Sequence, residues 1–152
     1  MRPEEELRFL ILGAQREGSR TLTAQLAPLG LTPAQAEVIR LLADAGPISL
    51  RGLGEMLVCE TGSPSRLVDS LVVREIVIRK EDPADRRQVT LQLTAAGKKL
   101  DRDVRKVEDA LYAGISAQLG AKGMDAALKL LRPLLAESIS GEAIARRKML
   151  KP

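Results

Sequence analysis

Between Ser63 and Thr94 the sequence changes its period, and few folds accommodate the change. Ser63-Pro64-Ser65-Arg66-Leu67-Val68-Asp69 opens a short stretch with apolar residues at helical spacing: Leu67, Val68, Leu71 and Val72. Proline deep in a helix costs roughly 3 kcal/mol. Ser63 as N-cap and Pro64 as first helical residue remove that conflict. The spacing predicts a helix over 63–75, with Ser65, Arg66, Asp69, Ser70 and Arg74 on its outer face. Ile76-Val77-Ile78-Arg79-Lys80 then reads as a β-branched strand, and Val89-Thr90-Leu91-Gln92-Leu93-Thr94 alternates as a half-buried strand does. The polar run Asp82-Pro83-Ala84-Asp85-Arg86-Arg87 closes them into a hairpin with arginines at its tip.

Helices precede this block. From Glu4 to Leu29 apolar residues recur mostly in steps of three and four, and Gly30 suits a C-cap. Thr32-Pro33 starts a second helix, with Val38, Leu41, Leu42 and Ala45 as its buried stripe and Gly46-Pro47 as its stop. Ser49 caps a short third helix whose apolar face is Leu50, Leu53, Met56 and Leu57. Thr94 caps a long helix through Leu100, Val104, Val107, Leu111 and Ile115, ending at Gly120. A last helix follows Gly123, with Pro133 expected to kink it, and a basic tail from Arg146 is expected to fray. The fold class is mainly α with a small β-hairpin (α+β). It reads as a winged helix-turn-helix over 31–94 with helical arms at 1–30 and 95–152, one domain in all.

Composition narrows the chemistry. The chain has one cysteine and no histidine, which removes intramolecular disulfides, Cys/His zinc sites and histidine-based nucleophilic triads. An enzyme, a metal and a cofactor are therefore not expected. The net charge of +4 and pI near 9.5 favour a polyanionic partner, and Arg66, Arg74, Arg79, Lys80, Arg86 and Arg87 crowd the central block. With Phe9 and Tyr112 as the aromatic residues, base-stacking platforms for single strands are improbable. Double-stranded DNA is the expected partner, and a winged-helix protein–protein module is the alternative. No apolar run reaches the roughly 18 residues of a membrane span, and the acidic start Glu4-Glu5-Glu6 is unlike a secretory signal, so a cytoplasmic protein without membrane contact is expected.

The arms carry more apolar surface than the small central block needs. They either pack on each other within one chain or pair between two; a two-fold pair would place two reading helices about 34 Å apart, one duplex turn. We expect the homodimer.

The sequence resembles the MarR family of bacterial winged-helix regulators. The likeness runs from Leu31-Thr32-Pro33-Ala34-Gln35 through Leu41-Leu42, Pro47-Ile48-Ser49-Leu50 and Ser65-Arg66-Leu67-Val68-Asp69-Ser70-Leu71 to Asp82-Pro83-Ala84-Asp85-Arg86-Arg87 and Leu91-Gln92-Leu93-Thr94-Ala95-Ala96-Gly97. The resemblance implies a homodimeric repressor of palindromic operators, paired through its terminal helices and in many members released by a small aromatic or phenolic effector. Some members respond to thiol oxidation, usually through a cysteine in the first helix, where this chain has none. Where members often begin the reading helix with Thr-Pro after Gly-Val, this chain has Val58-Cys59-Glu60-Thr61-Gly62-Ser63-Pro64, with proline about three positions late.

Arg66 is the leading base reader, since arginine donates two hydrogen bonds to guanine. Family matching adds Ser63, Ser65 and Thr61 as contacts to phosphate or base edges. Arg86 and Arg87 suit a narrow minor groove, where negative potential concentrates. The resemblance assigns Asp85 to bracing the wing. Arg74, Arg79 and Lys80 are expected on the DNA backbone, as are Ser49 and Arg51 at the start of the third helix. Family geometry places an effector pocket along Leu12, Gln15, Arg16, Ser19, Arg40 and Tyr112. Cys59 is either a redox switch beside the reading helix or a small apolar filler.

Overall fold

The computed structural model describes residues 1–59, 63–81 and 89–150. Helix α1 (Pro3–Leu26) starts with proline and with Glu4, Glu5 and Glu6 in its first turn, where carboxylates meet the positive helix end. A single tight turn, Ala27–Leu29, closes on Gly30 at φ 65, a conformation that glycine adopts without strain. Helix α2 (Pro33–Ala45) begins in a reciprocal cap. The Gln35 amide donates to Thr32 Oγ1 at 3.2 Å, and the Thr32 amide donates to Gln35 Oε1 at 3.1 Å.

Two residues that the sequence marked only as a helix approach form a strand, β1 (Ile48–Ser49). They are too few to show a period. Ser49 keeps its capping role as well: its Oγ accepts from the Gly52 amide at 3.0 Å at the start of α3 (Leu50–Gly54). Helix α4 (Pro64–Val73) starts at the expected proline and stops two residues short of 75. It ends because Glu75 turns left-handed at φ 57, letting Ile76 N bond back to Leu71 O at 3.0 Å. Strands β2 (Val77–Glu81) and β3 (Val89–Leu93) pair antiparallel with Val77 opposite Leu93 and Glu81 opposite Val89. Strand β1 adds to the other side of β3, with Ile48 opposite Leu91, so the hairpin becomes a three-stranded antiparallel sheet in the order β1-β3-β2. The chain is thus mostly helical with a small antiparallel sheet.

Helix α5 (Ala95–Leu135) is two helical segments joined at Gly120, whose φ 62 and ψ 175 are non-helical; the first segment ends at the expected glycine, and the second begins directly after it rather than after Gly123. Pro133 falls in its last turn rather than at a mid-helix kink. Arg146, Arg147 and Lys148, the start of the tail expected to fray, instead belong to a further helix, α6 (Ile139–Lys148), which Ser138 caps and whose Ala143 is buried.

The core centres on α2. Val38, Ile39, Leu41 and Leu42 pack with Leu26, Leu53, Val68, Leu71, Val77, Leu91 and Val104. A charged clamp joins α2 to α5. Arg40 bonds Asp101 at 2.8 Å, Glu108 at 3.0 Å and Asp44 at 3.1 Å, while Arg105 bonds Asp44 at 2.8 Å and Asp101 at 3.0 Å. Burial works against the Arg40 charge, but Asp101, Asp44 and Glu108 outweigh it and raise its pKa. Glu108 shows the other side of the same desolvation: burial pushes its carboxyl up despite Arg40. Asp101 is therefore the partner that anchors the guanidinium.

The arms are bare. Leu26 is the sole buried residue of α1, and Leu7, Leu10 and Ile11 are exposed, as are Tyr112, Ile115, Leu119, Leu128, Leu131 and Leu134 on α5. No helix among the described residues is long and apolar enough to cross a membrane.

Gly97 is where α5 meets the sheet. A Cβ there would lie 2.2 Å from the Ile76 carbonyl oxygen, which itself accepts from Thr94 N. Gly97→Ala is expected to destabilise the fold by about 1–3 kcal/mol, the usual range for forced overpacking, measured by chemical denaturation.

Candidate nucleic-acid interface

Helix α4 is amphipathic by construction. Val68 and Leu71 are fully buried, and that fixes the opposite face outward. Arg66 lies in its first turns, is exposed, and has no ion-pair or hydrogen-bond partner among the described residues. The free N–H groups and positive dipole of this helix start add to the same field. Ser63 sits at the N-cap position, yet its hydroxyl makes no capping bond and has no hydrogen-bond partner among the described residues. Ser65 is half-buried.

The other predicted contacts divide into occupied and open ones. Arg74 donates to the Gly30 carbonyl at 2.8 Å and so ties α4 to the turn after α1. Arg79 pairs with Asp69 at 2.5 Å, both side chains about half-exposed. That pair accounts for the acidic residue on the outer face of α4: its charge is met by the neighbouring strand. Arg51 pairs with Glu55 at 3.1 Å but remains 90% exposed, so the bond constrains it little. Lys80 is exposed on β2, and Ser49 is engaged as the α3 cap. Thr61, Asp85, Arg86 and Arg87 lie outside the described residues.

Positioning comes from α2. Gln35 Nε2 donates to Ser70 Oγ at 3.0 Å, and Ser70 in turn donates to Leu67 O at 2.7 Å. Glu37, an acid inside an otherwise apolar run, is buried and accepts the amides of Val58 and Cys59, both at 2.8 Å. Sequence reasoning passed over Glu37, although a carboxylate flanked by Ala36, Val38 and Ile39 is itself a signal for a satisfied buried acid.

The predicted effector residues split. Arg40 and Tyr112 line one cleft of about 310 Å³ together with Glu37, Cys59, Glu108 and Arg147. Leu12, Gln15, Arg16 and Ser19 stand exposed on α1 and do not line it. Cys59 keeps part of its surface open to solvent, but its thiol loses hydration in the cleft and faces Glu37. Both effects push its pKa from 9.0 up to about 11. No cluster of acids and cysteine suited to a metal occurs among the described residues.

Residues 31–89 match the model of the MarR family. The transcriptional regulator MhqR of Bacillus subtilis is 32% identical over 63% of this chain and 67% of its own length. FarR of Neisseria gonorrhoeae is 30% identical over 80% of this chain and 83% of its own. Among solved structures, a mutant MarR from E. coli complexed with operator DNA superposes with a TM-score of 0.76 at 28% identity, covering 86% of this chain and 94% of that one.

A thiol with a pKa of about 11 is mostly protonated at pH 8. Cys59 is expected to react with iodoacetamide about a hundredfold more slowly than an unperturbed cysteine at that pH, with the rate rising until pH passes its pKa. Time-resolved mass spectrometry gives the rate; a fast, pH-flat reaction would mean a thiolate stabilised where the geometry predicts the opposite.

Proposed function

The chain belongs to the MarR family of DNA-binding transcriptional regulators, and on that premise we propose that it acts as a homodimeric, sequence-specific repressor of a palindromic operator. Helix α4 enters the major groove and the wing at 82–88 the minor groove. The observation that carries the reading is Arg66: exposed, unpartnered among the described residues, and set in the first turns of a helix whose other face is locked into the core.

The described residues divide by what their partners leave available, and Thr61, Asp85, Arg86 and Arg87 take the roles that the family resemblance gives them. Ser63, Ser65 and Arg66 face base edges and phosphates, joined by Thr61, with Arg86 and Arg87 on the wing and Asp85 bracing it. Lys80, Arg51 and Ser49 hold the DNA backbone. Arg79 and Arg74 have partners within the chain and would contribute field rather than direct contacts. The exposed apolar rows on α1 and α5 support pairing of two copies through 1–30 and 95–152, with 31–94 as the reading core of a single domain. Such bare rows are larger than isolated surface leucines would explain. The E. coli relative was solved on operator DNA, which supports the same partner here and, with it, a place in the cytoplasm. The cleft at Arg40 and Tyr112 is the proposed effector site.

A mobility shift with DNA from the protein's own promoter tests the reading, and the absence of any shift at low salt would reject it. Arg66→Ala is expected to weaken binding by about 1–3 kcal/mol and to relax preference at one base pair per half-site. Replacing Arg86 and Arg87 with alanine should flatten the dependence of log K on log salt by about 1 for each phosphate no longer neutralised. Leu10→Asp should shift the dimer towards monomer in light scattering, because it places a charge in the apolar seam.

A further inference from the structure

We propose that Arg147, near the end of α6, is a positioning residue for the DNA-reading helix and acts through Glu37. The inference rests on the role proposed above for α4. Glu37 is 7% exposed, and its two oxygens are divided between three donors on two distant parts of the chain. Oε1 accepts the Val58 amide at 2.8 Å and the Arg147 guanidinium at 2.5 Å; Oε2 accepts the Cys59 amide at 2.8 Å. Cys59 stands five positions before Pro64, the first residue of α4. The main chain leading into the reading helix is therefore held by one carboxylate, and that carboxylate is held by the C-terminal helix.

The arrangement is specific to Arg147. Its side chain reaches Glu37 across a sequence separation of 110 residues, and Nε is buried with no partner among the described residues. Glu37 thus receives the only carboxylate bond this guanidinium makes among the described residues. Arg146 pairs with Glu55 at 2.9 Å and keeps α6 in place beside α3. Buried Ala143 and the packing of Leu150 against the core seat the same segment. A buried carboxylate that loses its cation keeps its desolvation cost without compensation. It relaxes towards water, and the two amides it holds are released with it. Binding energy that depends on where α4 begins then changes although every side chain facing the DNA is intact.

The test compares Arg147→Met, Arg147→Lys and, as a charge-matched control on the same helix, Lys148→Met. Two readouts are taken on the full chain. Amide hydrogen exchange at Val58 and Cys59 is expected to speed up about ten-fold in Arg147→Met, to be partly restored by Arg147→Lys, and to stay at the wild-type rate in the control. Operator affinity is expected to fall about ten-fold in Arg147→Met with an unchanged salt slope, and less than two-fold in Arg147→Lys and the control. Unchanged exchange would show that Glu37 holds the segment without Arg147 and would overturn the proposal. Faster exchange with undiminished affinity would overturn it too, and a slope lowered by about 1 would make Arg147 a phosphate contact instead. Should Arg147→Met fail to fold, Arg147→Lys decides: faster exchange at Val58 and Cys59 with affinity within two-fold and an unchanged slope supports the proposal, and wild-type exchange or a slope lowered by about 1 rejects it. A wild-type chain that binds no DNA would reject the reading of α4, while the exchange result would still report on the latch itself.

Discussion

Everything in this molecule is hung on the burial of α2. Its stripe of Val38, Ile39, Leu41 and Leu42 is nearly inaccessible to solvent, and α4, the sheet and α5 all pack against it. A helix so enclosed has few places for polar side chains. The four it carries are each bonded to a neighbour: Gln35 to α4, Glu37 to the chain before α4, and Arg40 and Asp44 to α5. Apolar burial supplies the non-directional attraction, and these polar groups fix orientation, since each would cost free energy if its partner moved away.

The clamp between Arg40, Asp44, Asp101, Arg105 and Glu108 follows the same logic at the junction of arm and core. Buried ion pairs contribute little net stability, because desolvation offsets attraction. Their value here is geometric. Asp101 is buried and takes one arginine from each of two helices, so α5 leaves the core at a defined angle to α2. The hydrogen bonds around Gly97 and Thr94 set the same exit from the sheet side.

Much of this was legible in the sequence where the signal is local. Thr32-Pro33, Ser49, Ser63-Pro64 and Thr94 mark helix starts through a cap or a preset φ, and all four fall where the structure begins a helix. Alternation across Val89–Leu93 marked the strand. What stayed hidden depends on distant partners. Two residues of β1 are strand because β3 lies beside them, which no period of two residues can reveal. Arg146 and Arg147 read as the start of a fraying basic tail, whereas Glu55 and Glu37, some ninety or more residues earlier, receive them. On the outer face of α4, the exposure of Arg66 followed from periodicity, but the engagement of Arg74 by Gly30 and of Arg79 by Asp69 did not. Leu12, Gln15, Arg16 and Ser19 were placed by family geometry alone, and they lie apart from the cleft that holds Arg40 and Tyr112.

The bend at Gly120 has a mechanical consequence. The torsions φ 62 and ψ 175 lie where a side chain would be strained, so the angle between the two halves of α5 is concentrated at a single joint. In a two-fold pair of the kind proposed above, each copy would contribute one such joint, and a few degrees at either would be carried along the helix to its far end. Torsional stiffness at this one backbone unit, rather than any contact with nucleic acid, would then govern how far apart two tips of the assembly can swing.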